Sequence, residues 1–306
     1  MVLRRNEGRI LGNLLCKAVM KRILLTGATG RLGSELLQGL NSSYEVCAPT
    51  RAELPLSPQT DFYSFFQQTK PHTVVNSGAL SDVDYCESHP EEAEETNVLA
   101  PQKLAEACRK LNIRLIHISS DYVFSGEKGS PYTEEDEIGG NPNFYGQTKE
   151  GAEKAILKAN PEAILLRVAW LYGKKGPDFV SSIMDKLRAG STRIQAVEDQ
   201  FGSPTSIADL CTHIPYFIER ENVKGVFHLV NEGCVSRLEM AKVIADEFGS
   251  VCEVCGVTSK NFPRPAKRPK NTSLRSLRLQ ETKLPPMPNW EASLREFVRK
   301  NKKAPE

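Results

Sequence analysis

Leu24-Leu25-Thr26-Gly27-Ala28-Thr29-Gly30-Arg31-Leu32-Gly33 is the stretch that decides the fold. It follows the apolar run Ile23 to Leu25, which reads as a strand, and it opens a helix. Gly27, Gly30 and Gly33 fall three apart at that junction. Glycine closes a tight turn and lets the backbone approach a pyrophosphate, whose charge the helix N-terminus stabilises. A plain strand-to-helix turn uses similar residues. Strand, glycines and helix in register at the first βα turn nevertheless point to a dinucleotide.

Outward from the loop, short apolar runs alternate with helical stretches: Ile23 to Leu25, Glu45 to Ala48, Thr73 to Val75, Leu115 to Ile118 and Ile164 to Val168. Strands separated by helices imply βαβ crossovers and so a parallel sheet. The helical connection Pro90 to Leu111 carries Val98, Leu99, Ala105, Cys108 and Leu111 on an apolar stripe that packs against this sheet. Beyond about Tyr172, Gly and Pro punctuation sets in, with helices expected at Phe179 to Leu187, Ser206 to Glu219, Ser236 to Phe248 and Trp290 to Lys300. The fold class expected is α/β, a Rossmann-type doubly wound parallel sheet with a smaller mixed α/β substrate lobe. The cofactor-binding domain spans residues 20–172 with a return segment near 205–222, and the lobe takes 173–204 and 223–306. Residues 1–19 read as an extension, because Met20-Lys21-Arg22 leads straight into the first strand.

Composition narrows the function classes. Hydrophobic residues make 40% and charged residues 25% of the 306, as in globular proteins. No apolar run approaches the roughly 18 residues of a membrane span. The net charge of +2 rests on the extension, which holds Arg4, Arg5, Arg9 and Lys17 against Glu7, so no general nucleic-acid binding is expected. The eight cysteines are scattered without a compact disulfide pattern, which fits reduced thiols in a cytoplasmic protein. Cys252 and Cys255 could begin a zinc or redox site, but there is no second CxxC. Val251 to Val257 alternates like a strand, so both are read as structural.

Two groups of residues carry chemistry. The second strand leaves through Ala48-Pro49-Thr50-Arg51, where a guanidinium can bond the 2′-phosphate of NADP; Glu53 beside it keeps NADH use open. Tyr145 and Lys149 stand four apart on one helix face, suited to acid–base work, with the lysine cation expected to favour the ionised phenol. Ser119-Ser120-Asp121-Tyr122 ends the fourth strand, on the side where open α/β sheets bind ligands.

From Lys21 almost to the C-terminus the chain resembles the extended short-chain dehydrogenase/reductase superfamily and, within it, the dTDP-4-dehydrorhamnose reductase family. The segments that carry this are Thr26 to Gly33, Arg51-Ala-Glu-Leu54, Ser119 to Phe124, Tyr145 to Lys149, Trp170-Leu-Tyr172, Asp199 to Thr205 and Lys267 to Asn271. The resemblance implies NADPH-dependent reduction of the 4-keto group of a dTDP-sugar, dTDP-4-dehydro-6-deoxy-L-mannose, to dTDP-L-rhamnose. It assigns Tyr145 as proton donor, Lys149 as ribose ligand and Ser120 as the hydroxyl that orients the carbonyl. Gly30, Arg31 and Leu32 match the pyrophosphate turn, and Ser77, Gly78 and Ala79 a cofactor-lining segment. Val83, Asp121 and Trp170 match positions facing the sugar nucleotide, and Asn97 a structural asparagine. Arg268 falls in a family motif within a basic stretch, Lys260 to Arg278, that could complement a diphosphate or be a solvated loop. Ser120 stands where these reductases commonly have threonine, and Pro55 where many have an acid near adenine. Of the acids that link some members into magnesium-bridged homodimers, only Glu35 is clearly matched, so magnesium and the dimer stay open. The competing readings are another sugar-nucleotide 4-ketoreductase, or a non-catalytic NADP-binding subunit similar to the regulatory β subunit of methionine adenosyltransferase.

Overall fold

The computed structural model describes residues 20–282 and 284–303; the extension expected at 1–19 lies outside them. Strands and helices alternate as β1 (Arg22–Thr26), α1 (Arg31–Leu40), β2 (Glu45–Cys47), α2 (Phe62–Thr69), β3 (Thr73–Asn76), α3 (Ala100–Lys110), β4 (Arg114–Ser120), α4 (Phe144–Ala159) and β5 (Ile164–Val168). The chain then passes through α5 (Phe179–Arg188), returns by α6 (Ile207–Glu219) and β6 (Gly225–His228), and ends with α7 (Arg237–Phe248) and α8 (Trp290–Asn301). The six strands form one sheet in the order β6-β5-β4-β3-β1-β2, every neighbour parallel.

Both faces of the sheet are covered, so its strands are apolar on both sides. Ile23, Leu25, Ile116, Ile118, Ile164 and Leu166 pack with Leu36 of α1 and with Leu210 and Ile214 of α6. Leu24, Val74, Leu115 and Leu165 meet Phe66 of α2, Leu104 of α3 and Ile156 of α4. Nearer the carboxyl ends of the strands this second face turns polar, with buried Thr26, Asn76, His117, Ser119 and Arg167. The smaller lobe has its own core, where Val180, Ile183 and Met184 of α5 meet Ala241 and Ile244 of α7 and Leu294 and Val298 of α8. A parallel pair of strands, Arg193–Val197 with Glu253–Val257, completes it. Cys252 and Cys255 are unpaired, and the Cys255 thiol accepts from Arg193 Nε at 3.2 Å.

Two expectations are amended. The return segment does not stop at 222: β6 is the sixth strand of the main sheet, and Leu279, Leu284 and Met287 pack on that sheet's first core. This strand has only four residues and its first half is partly exposed at the sheet edge, so it lacks the apolar signature of the other five. The helical connection Pro90 to Leu111 is also not uniform, because residues Glu95–Leu99 widen into a π-helical turn between two α-helical pieces. No helix among the described residues is long and apolar enough to cross a membrane.

Candidate active site

A cavity of about 630 Å³ lies at the carboxyl ends of β1, β3, β4 and β5, between the main sheet and the smaller lobe. The glycine loop forms one end. Gly27 has φ +71°, and a Cβ there would lie 2.5 Å from the Gly78 nitrogen; a Cβ on Gly33 would lie 2.1 Å from the Gly27 oxygen. Both glycines are therefore required by close backbone approach. Gly30 is the N-cap of α1 and supplies no side-chain acceptor, and the first turn of that helix holds no acidic residue. Its N–H groups and dipole are left for an anion, which is what a dinucleotide pyrophosphate offers.

Arg51 lines the same end and makes no ion pair among the described residues. The Glu53 carboxylate, the competing group for a ribose, accepts from Thr50 N at 2.7 Å and from Thr50 Oγ1 at 2.9 Å. It closes its own turn, which leaves the guanidinium as the available polar group. Ser77, Gly78 and Ala79 line the middle of the cavity. The loop that carries them is tied down by Asn97, which accepts from Leu80 N at 2.8 Å and donates to Leu80 O at 3.0 Å. Asn97 also donates to Thr148 Oγ1 at 3.2 Å, joining this loop to α4. The π turn puts Asn97 in that position, as such turns often do at functional sites.

Helix α4 starts at Asn143, whose side chain accepts from Gly146 N, and it presents Tyr145, Lys149 and Glu153 on one face. Lys149 donates to the Ile118 carbonyl at 2.9 Å. Burial lowers it to about 8, against the attraction of Glu153. Tyr145 departs from expectation. Burial raises its phenol well above the ordinary value, and the hydrogen bond with Ser120 only partly opposes this. The lysine ammonium is directed to a backbone carbonyl, so the ionised phenol is not favoured here. Ser120 Oγ donates to Asp121 Oδ1 at 2.9 Å, and Thr272 Oγ1 donates to the other carboxylate oxygen. Burial raises Asp121 to about 6 despite both bonds.

Below these groups the polar face of the sheet forms two networks. Glu153 pairs with Arg167 at 2.7 Å and accepts from Ser119 Oγ at 2.5 Å, with both charges almost wholly buried. Thr26 Oγ1 donates to Asn76 Oδ1 at 2.6 Å, and Asn76 Nδ2 meets His117 Nδ1 at 2.9 Å. Burial, then the nearby Lys149 charge, keeps His117 neutral.

Gly27, Gly30, Arg31, Leu32, Gly33, Arg51, Ser77, Gly78, Ala79, Val83, Ser120, Asp121, Tyr145, Lys149 and Trp170 all line this one cavity. Arg268 is not part of that lining. Its guanidinium donates to Asp84 Oδ1 at 2.9 Å and to the Ala266 carbonyl at 2.7 Å, and Arg264 approaches the same carboxylate. The smaller lobe instead contributes Phe179, Arg237 and Met240, none of which the sequence singled out. One signal for Arg237 was present: the Ser236-x-x-Glu239 capping box fixes the helix start and leaves a cation at its first position, where the helix dipole disfavours one. Among the described residues no group of three or more His, Cys, Asp or Glu side chains is arranged to hold a metal; Glu35 accepts from the Lys174 backbone at 2.8 Å.

Residues 20–303 match the family model described as RmlD substrate binding domain. A dTDP-4-dehydrorhamnose reductase of Mycolicibacterium smegmatis is 36% identical over 284 residues, covering 91% of this chain and 85% of the relative. Two solved structures superpose over the whole of their chains and 92% of this one. One is a dTDP-4-dehydrorhamnose reductase from Clostridium acetobutylicum, 35% identical with TM-score 0.86. The other is the Bacillus anthracis enzyme of the same name in complex with NADP, 29% identical with TM-score 0.87.

Proposed function

The chain belongs to the family of the RmlD substrate binding domain, and from that premise we propose that it is an NADPH-dependent oxidoreductase that reduces the 4-keto group of dTDP-4-dehydrorhamnose to give dTDP-L-rhamnose. The observation that carries this reading is a single cavity that joins an uncapped helix N-terminus and a free Arg51 at one end to Ser120, Tyr145 and Lys149 at the other. The dinucleotide would lie along the glycine loop, its 2′-phosphate at Arg51 and its ribose at Lys149, and it supplies the hydride.

The side chains supply the rest. Ser120 would turn its one hydroxyl proton from Asp121 to the substrate carbonyl and so orient it, and Tyr145 gives its phenolic proton to the oxygen as the C4–H bond forms. The carbonyl becomes an alcohol, and the tyrosine recovers a proton from solvent before the next turnover. A phenol kept protonated by burial is the form that reduction needs. Lys149, held at the Ile118 carbonyl, is the cation that would bind the ribose. The test is to mix the purified protein with NADPH and dTDP-4-dehydrorhamnose, follow the cofactor absorbance and identify the sugar product. Oxidation of NADPH with formation of dTDP-L-rhamnose is expected; a different epimer at C4, or no turnover, would overturn the reading.

A further inference from the structure

Arg237 is a cation without a counter-ion. Its guanidinium carbon sits 3.4 Å over the Trp170 ring and 4.9 Å from the centre of Phe179, on the cavity wall. Among the described residues it makes no ion pair. The two carboxylates whose charge reaches it are already engaged: Asp121 by Ser120 and Thr272, and Asp178 by Ser181 N at 2.9 Å and Gly173 N at 3.3 Å. Burial lowers the guanidinium to about 10, so the charge is poorly hydrated as well as unpaired.

The other cations of the cavity, Arg31, Arg51 and Lys149, come from the main domain and lie along the glycine loop, the second strand and α4. Arg237 alone comes from the smaller lobe, beside the residues that follow Ser120. A dTDP-sugar carries its charge on one group, the diphosphate. An arginine held over the face of an indole can keep its N–H groups free, in the forked geometry that matches pairs of phosphate oxygens. We propose that Arg237 binds the diphosphate of the sugar nucleotide. This assignment rests on the sugar-nucleotide reading above.

The experiment measures binding of dTDP and of thymidine to the NADP-loaded protein by calorimetry. Arg237→Gln should weaken dTDP binding by about 10- to 100-fold, as expected for hydrogen bonds to a charged group, and change thymidine binding less than about twofold. Equal losses for both ligands, or an unchanged affinity for dTDP, would overturn the proposal. If the variant does not fold, arginine modification of the wild-type protein by phenylglyoxal keeps the test: dTDP, and not thymidine, should shield Arg237 in peptide mass maps, and equal labelling overturns it. The two readings fail separately. Arg237-dependent dTDP binding in a protein that does not reduce the keto sugar would remove the activity and leave this assignment standing. Full turnover with an unchanged KM in Arg237→Gln would do the reverse.

Discussion

Tyr145 and Lys149 feel the same burial with opposite consequences for charge: the phenol is held protonated, and the ammonium is eased toward neutrality at about 8. Replacing Tyr145 by Phe keeps the ring and removes the proton, so turnover should fall by about 10² to 10⁴ with NADPH affinity within a small factor, measured by single-turnover absorbance and cofactor titration. Lys149 sets the alkaline limit. Its proton is lost as pH rises through about 8, so kcat/KM should decline above that pH. In Lys149→Arg the charge persists, and that limb of the profile should vanish from whatever activity remains. At the far end of the cavity, Arg51→Ala should raise the KM for NADPH by about 10- to 100-fold and leave that for NADH nearly unchanged, because only NADPH has the extra phosphate. These residues were legible in the sequence because each sits in a local pattern: a strand exit, a four-residue spacing, a glycine turn. For Arg237 only the capping box beside it was legible, because its partner Trp170 lies on a distant segment and only tertiary packing brings the two together. Arg268 is hard to place from sequence for a related reason. An arginine in a basic stretch looks the same in sequence whether it meets a phosphate or Asp84.

At the scale of the element, α4 is a column with chemistry at its top and an ion pair at its foot. Glu153→Gln would leave the Arg167 guanidinium buried and uncompensated, and should cost about 3–5 kcal/mol in urea unfolding. A second element constrains the opposite wall. Trp170, just after β5, has φ +43°, a conformation that a bulky side chain rarely adopts, and its ring fills the space in front of Gly202. A Cβ on Gly202 would lie 2.2 Å from the indole. Gly202→Ala should therefore displace the indole and raise the KM for the sugar nucleotide while cofactor affinity holds, by kinetics with each substrate varied in turn. The sequence marked this region as family-like but could not show that a glycine there leaves room for an indole.

The whole molecule is two lobes that meet across the cavity, so each ligand should bridge them and stabilise both. A ligand at a hundredfold its Kd adds about 2.7 kcal/mol. For a chain of this size that is roughly 4 °C in Tm, and NADPH with dTDP should exceed either alone in calorimetric scans. The sheet was legible from five apolar runs; its edge strand and the packing of Leu279, Leu284 and Met287 were not, since they come from segments remote in the chain. The basic stretch has its own place at this scale. Besides the Arg268 contact with Asp84, the Lys267 carbonyl accepts from Asn143, the cap of α4, at 2.8 Å, and Thr272 holds Asp121. The stretch is a strap from the smaller lobe over the reaction centre. Lys260, Lys267, Lys270 and Arg275 are exposed along it, whereas the bonds after Arg264 and Arg268 precede proline and resist trypsin. Brief digestion should thus nick the strap at one of these four exposed sites, abolishing turnover in a protein whose two halves still migrate together on a sizing column.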